Sequence, residues 1–222
     1  MNINQAMEAR HSVRSFKSDP LPIEAAQALR DEIARCNAEG SLNIQLVLDE
    51  PHAFDCMMAR YGKFSGVRNY LALVGPKGRD LDEACGYYGE RLVLLAQQLG
   101  LNTCWVAMTF QKVPNAYTIG RGEKLAAVIA LGYGTTQGTA HKVKLPQAVA
   151  PNIQGAPDWF VRGVDAALLA PTAMNQQKFT LIYEGENRVR ATPGRGFYAK
   201  MDLGIVRYHF ECGALPTAIE WL

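Results

Sequence analysis

Long hydrophobic runs are missing from this sequence. None approaches the roughly 20 consecutive apolar residues needed to cross a bilayer. The opening MNINQAMEARHS has no apolar h-region and carries Glu8, so it does not read as a secretory signal. Cysteine is sparse and dispersed: Cys36, Cys56, Cys85, Cys104 and Cys212 are odd in number and form no CxxC pair. That spacing argues against a disulfide framework or a thiolate metal site, and a reduced, cytoplasmic compartment is expected. A dominant charge is also missing, because 23 basic against 21 acidic side chains leave only +2. Nucleic acid and membranes are therefore not expected as partners.

Several catalytic signatures are absent. GYGTTQG (132–138) follows a strand-like run, but its spacing is not GxGxxG, and HKVKLP after it cannot start the helix that a dinucleotide loop requires. There is no GxxxxGK[ST] and no GxSxG. His11, His52, His141 and His209 show no HExxH or other metal spacing. Kinase, hydrolase and metalloenzyme readings all lose ground. An enzyme built from what remains would draw its reactivity from a bound organic cofactor and a small-molecule substrate.

What is present suits one compact domain over residues 1–222. Apolar residues make up 48% and charged residues 20%, enough to bury a full core. The spacing predicts an amphipathic helix over 22–38, opened by Pro22 and broken at Gly40 and Ser41. A strand is expected at 43–49, a helix near 51–60, a strand at 69–75, a long helix over 80–100 closed by Gly100, and short buried strands in NTCWVAM and at 125–134. Residues 134–156 read as a long connection. Helix, turn and strand then follow from Pro157, with a last helix over 199–213. Placing Pro157 on Pro22 aligns Leu29 with Val164, Ile33 with Leu168, and Leu46 with Leu181. This faint repeat suggests two related halves, approximately 1–150 and 151–222.

Four segments could carry chemistry. In Arg10-His11-Ser12-Val13-Arg14, an extended backbone would turn Arg10, Ser12 and Arg14 to one face, equipment suited to a phosphate. His141-Lys142-Val143-Lys144 adds a second local cationic cluster. In Ala170–Gln177, APTAMNQQ, Pro171 stops a helix, and the carboxamides offer donors and acceptors together. Gly100–Met108 combines small and apolar residues that let backbone approach a flat ring; Trp105 in it is expected to pack in the core.

Taken together, these segments resemble the FMN-dependent nitroreductase family. RHSVR resembles its N-terminal RxSxR motif, GERLVLLAQQLGLNTCW its central helix and following strand, PTAMNQQKF its PSxxNxQPW segment, and HKVKLPQ its late basic pair. The order differs from the usual one, with PTAMNQQ falling after the basic pair. The resemblance therefore points to a single-chain, pseudo-dimeric branch. It implies an α+β fold in α/β/α layers, mainly an antiparallel sheet flanked by helices, with one FMN per chain. It places Arg10, His11, Ser12 and Arg14, with Lys142 and Lys144, around the phosphate and ribityl chain. Pro171, Thr172, Ala173, Asn175 and Gln177 would border the ring system, Val106, Ala107 and Met108 its N5/O4 edge, and Lys63 its pyrimidine side. The implied activity is transfer of electrons from NADH or NADPH to a nitroaromatic, quinone or similar electrophile, with the flavin rather than a catalytic side chain carrying the chemistry. A flavin-storage module and a flavin-fragmenting enzyme are alternatives, and the chain would be a monomer or a homodimer.

Overall fold

The computed structural model describes all 222 residues, which divide into two compact units. One contains residues 9–81 and 91–140; the other contains 1–8, 82–90 and 141–222. No helix is long and apolar enough to cross a membrane.

The first unit is built on a four-stranded antiparallel sheet in the order β1-β2-β4-β3, formed by Gln45–Val47, Asn69–Pro76, Glu123–Gly132 and Asn102–Val106 (β3). The near-continuous apolar runs of β2 and β4 arise because both faces of the sheet are covered. Tyr70, Ala72, Val74, Val128 and Ala130 pack on one side with Cys104, Val106, Phe54 and Phe64. Leu131 packs on the other side with Ala25 and Leu29 of helix α2 (Ile23–Gly40) and with Ala96. An antiparallel strand covered on both faces loses the usual alternation of apolar and polar residues.

Most expected elements are present, with instructive differences. Pro22 precedes α2, and Ser41 closes it in the left-handed region at φ 50°. Strand β1 is only three residues long: the Asn37 carboxamide brackets the backbone of Ile44 at its start (2.7 and 3.0 Å), and Asp49 turns left-handed at φ 51° beyond its end. The expected helix near 51–60 is instead a single turn at His52–Phe54 followed by α3 (Met57–Tyr61). Cys56 is extended between them, and its Sγ accepts from the Ala59 N–H at 3.4 Å. The long helix α4 (Leu81–Gln98) contributes Asp82–Glu90 to one unit and Arg91–Gln98 to the other.

The second unit holds a three-stranded sheet, β5-β6-β7, from Phe179–Tyr183, Arg188–Pro193 and Glu220–Trp221; β5 and β6 are antiparallel, β6 and β7 parallel. Helices α6 (Asp158–Leu168) and α7 (Ala199–Ala214) pack together, with the Phe210 ring seated on Gly163. Glycines also let α7 cross the start of α4 closely: a Cβ on Gly204 would lie 2.0 Å from the Glu83 carbonyl oxygen, and one on Gly86 2.1 Å from that of Met201. A short helix α5 (Pro146–Val149) interrupts the long connection, and α1 (Ile3–Ala9) occupies the N-terminus. Prolines 22 and 157 each stand at the N-cap of a helix that leads into an edge strand, β1 or β5.

Candidate functional site

The RHSVR segment is extended. Ser12 bridges Thr103 in parallel, and the Val13 N–H donates to the Thr103 carbonyl at 3.0 Å, so the segment adds to the free edge of β3. Val13 is buried in the core while Ser12 and Arg14 on either side are exposed, the alternation expected of a strand. Arg10 is buried. Arg14, Ser12 and Arg10 all act on one point, the Cys104 thiol: burial pushes it up, while the Arg14 charge, a hydrogen bond from Ser12 and the Arg10 charge pull it down. Arg10, Ser12 and Arg14 thus all lie near Cys104, Arg10 buried and the other two exposed. Arg14 also lies 5.8 Å from the centre of the Phe64 ring.

The segment is braced from behind by the glycine-rich GYGTTQG loop that sequence reading set aside. Lys17 N–H donates to the Tyr133 carbonyl (2.8 Å) and Thr135 N–H to that of Ser15 (2.9 Å). Gly138, at φ 74°, leaves room for His11: a Cβ there would lie 2.7 Å from His11 Cβ. Buried Asn102 fixes the loop, accepting from Gly134 N–H at 2.9 Å and donating to Gln137 at 3.1 Å. Its place two residues after Gly100 was the available signal in sequence.

In the same unit, Val106 is buried, Ala107 half-buried and Met108 exposed; Trp105 is half-buried rather than a core residue. Lys63 is exposed and left-handed at φ 61°. It follows α3, near a cleft of about 430 Å³ lined by Phe54, Phe64, Arg60 and Arg68 among others. Those two arginines pair with Asp55 and Asp49, so the cleft rim is charge-balanced.

The second unit gathers the remaining candidates around the turn at 171–177. Met174, Asn175 and Gln177 are all left-handed, at φ 51°, 53° and 45°. For non-glycine residues this costs about 1 kcal/mol or more each, so the surroundings must hold the shape. They do so with a closed set of hydrogen bonds. Thr172 Oγ1 accepts from Gln177 N–H at 3.0 Å. Buried Gln177 donates to the Lys142 carbonyl (2.7 Å) and to Asn175 Oδ1 (2.8 Å), and accepts from Lys144 N–H (2.9 Å). Asn175 Nδ2 donates to the Lys142 carbonyl at 2.8 Å. Lys144 Nζ is engaged by the carbonyls of Gln176 and Gln177 at 3.0 and 2.8 Å. The side chains of Asn175, Gln177 and Lys144 thus join the basic segment to the turn. Pro171, Thr172 and Ala173 are half-buried, and Lys142 is exposed. Sequence reading missed Asp202 on α7, whose carboxylate accepts from Ala173 N–H at 2.9 Å and from Gln176 Nε2 at 2.6 Å.

Residues 2–214 match the model of the family described as "Putative TM nitroreductase". The chain belongs to this nitroreductase family. Its fold is similar to that of a nitroreductase-family protein from Thermotoga maritima, at a TM-score of 0.70 and 23% identity, covering 96% of this chain and 83% of that one. A nitroreductase-family protein from Desulfovibrio desulfuricans, solved in complex with FMN, is similar at a TM-score of 0.54 and 16% identity, covering 67% of this chain and 95% of that one. No curated protein matches the chain. The antiparallel sheet flanked by helices is the fold expected of a nitroreductase, and family membership is carried by nearly the whole chain rather than by one motif.

Proposed function

We propose that this nitroreductase-family chain is an FMN-dependent oxidoreductase, taking electrons from NADH or NADPH and reducing a nitroaromatic, quinone or related conjugated electrophile in a ping-pong cycle. The observation that supports it best is the extended segment 10–14 on the edge of β3, which sets Ser12 beside Thr103 and carries Arg10 and Arg14 on either side of it. Two guanidiniums and a hydroxyl fit a phosphate dianion, because charge-assisted donors offer both neutralisation and direction. The FMN in the Desulfovibrio protein agrees with this chemistry. When bound, FMN supplies two-electron transfer at its N5 edge.

The chain's own residues bind and orient. Arg10, Ser12 and Arg14 hold the phosphate end, with His11 alongside, and the resemblance assigns Lys142 and Lys144 to the same task. Backbone N–H groups at Val106, Ala107 and Met108 would face the ring edge, where preorganised donors stabilise negative charge without rearrangement. Lys63 would serve the pyrimidine side, and Pro171, Thr172, Ala173, Asn175 and Gln177 the ring border. No protein acid or base is required in this scheme.

Freshly purified protein should be yellow and release about one FMN per chain on denaturation. Anaerobic NADPH or NADH should bleach it, and a quinone should restore the colour. Arg10→Ala and Lys142→Ala should each weaken FMN binding by about 1.5–3 kcal/mol, the scale of hydrogen bonds to a charged group. A colourless protein that cannot be loaded with FMN would sink the proposal.

A further inference from the structure

Asp202 lies outside every motif that sequence reading singled out. It is a buried carboxylate on the first turn of α7, and both of its oxygens are directed at one turn. Oδ1 accepts from the backbone N–H of Ala173, and Oδ2 from the side chain of Gln176, which also donates to the Phe197 carbonyl at 2.9 Å. The two tethered residues flank Met174 and Asn175, which are left-handed, and Gln177 just beyond is left-handed too. Met174, at the apex, is 86% exposed. A strained turn with its apex in solvent has no apolar packing there to hold it; what holds it is hydrogen bonding from behind.

We propose that Asp202 is a positioning residue for flavin binding, holding the 172–177 turn in the shape that meets the cofactor; this rests on the FMN reading above. Its cost to the fold supports the assignment. Burial pushes the Asp202 carboxyl up, although its two donors oppose this. A carboxyl whose folded pKa is raised favours the fold below its unfolded pKa and loses that contribution as pH rises through the folded value. Ionised Asp202 is thus a poor choice for stability alone, because its charge is desolvated in the fold.

Three measurements on the full-length chain test this: the FMN dissociation constant, the thermal midpoint, and hydrogen exchange at the Ala173 amide. Asp202→Ala should raise the dissociation constant about tenfold or more, the scale expected when a binding group is misplaced, and should speed Ala173 exchange. Asp202→Asn keeps an oxygen for Ala173 but turns an N–H toward Gln176. It should keep Ala173 protected and still weaken FMN severalfold. If the alanine variant does not fold, the asparagine variant decides. An unchanged dissociation constant in Asp202→Asn, or a fall in thermal midpoint with FMN affinity intact, overturns the positioning role. A wild-type chain that binds no FMN removes the flavin reading instead; Ala173 exchange unchanged in Asp202→Ala would then show that Asp202 does not hold the turn at all.

Discussion

His209 and Glu90, both fully buried, meet at 2.9 Å between Nε2 and Oε1. The other ring nitrogen, Nδ1, faces the Ala166 carbonyl oxygen at 3.0 Å. A carbonyl only accepts, so Nδ1 carries a hydrogen. Removing one partner exposes the other's desolvation penalty. Glu90→Ala should therefore cost about 3–5 kcal/mol. Glu90→Gln can still donate an amide N–H to Nε2 and should cost about 1 kcal/mol. Urea unfolding of the two variants checks the difference. Sequence could not show this pair, because its members stand 119 positions apart, each on a helix whose pattern is otherwise ordinary. Asp202 was hidden for the same reason. The exposure of Ser12 and Arg14 about buried Val13 was legible because an extended segment turns successive residues to opposite faces.

Elements were legible where one face or both are buried over many residues. The periodicity of α2, α4, α6 and α7 and the apolar runs of β2 and β4 each reflect continuous burial. The elements missed lack that signal. Helix α1 buries only Ala6 and Met7, β6 buries only Val189, and β7 has two residues. Glycine carried information that periodicity did not. Gly86 and Gly204 stand inside helices, where alanine would be favoured by about 1 kcal/mol. Close backbone approach explains both, and it decides the sign of a substitution. Gly204→Ala puts a methyl 2.0 Å from the Glu83 carbonyl oxygen, a backbone atom that moves only if a helix moves. The overpacking cost of about 1–3 kcal/mol or more should outweigh the propensity gain. Gly78, with nothing within 4 Å of the added methyl, is the control; Gly78→Ala should be neutral or stabilising by up to about 1 kcal/mol. Thermal melts of the two variants should therefore shift in opposite directions, or leave Gly78→Ala unmoved.

Over the whole molecule, the units are not the stretches a linear reading would cut. The boundary near residue 150 was drawn from a helix–strand likeness, which is local. The three-stranded unit also depends on residues 82–90, contributed by the first half of α4. From that half-helix, Glu83 pairs with Arg207 at 2.5 Å, Tyr87 donates to Glu211 at 2.5 Å, and Glu90 reaches His209. Glu211 in turn holds the C-terminal strand through Trp221 Nε1 at 2.6 Å, with Arg207 stacked 4.6 Å from the Trp221 ring. A fragment of residues 151–222 would keep α6, α7 and β5–β7 but lose every one of these α4 partners. Buried His209 would have no carboxyl, and the faces of Gly204 and Met201 would have nothing to close on. So small a chain has little apolar burial in reserve to offset such losses. The fragment should therefore show collapsed amide dispersion in an NMR spectrum and no cooperative melt. A peptide spanning 81–98, added in trans, should restore part of the dispersion, because it returns the missing wall rather than any catalytic group. A well-dispersed spectrum from 151–222 alone would show that the second half is self-sufficient and that α4 contributes nothing essential to it.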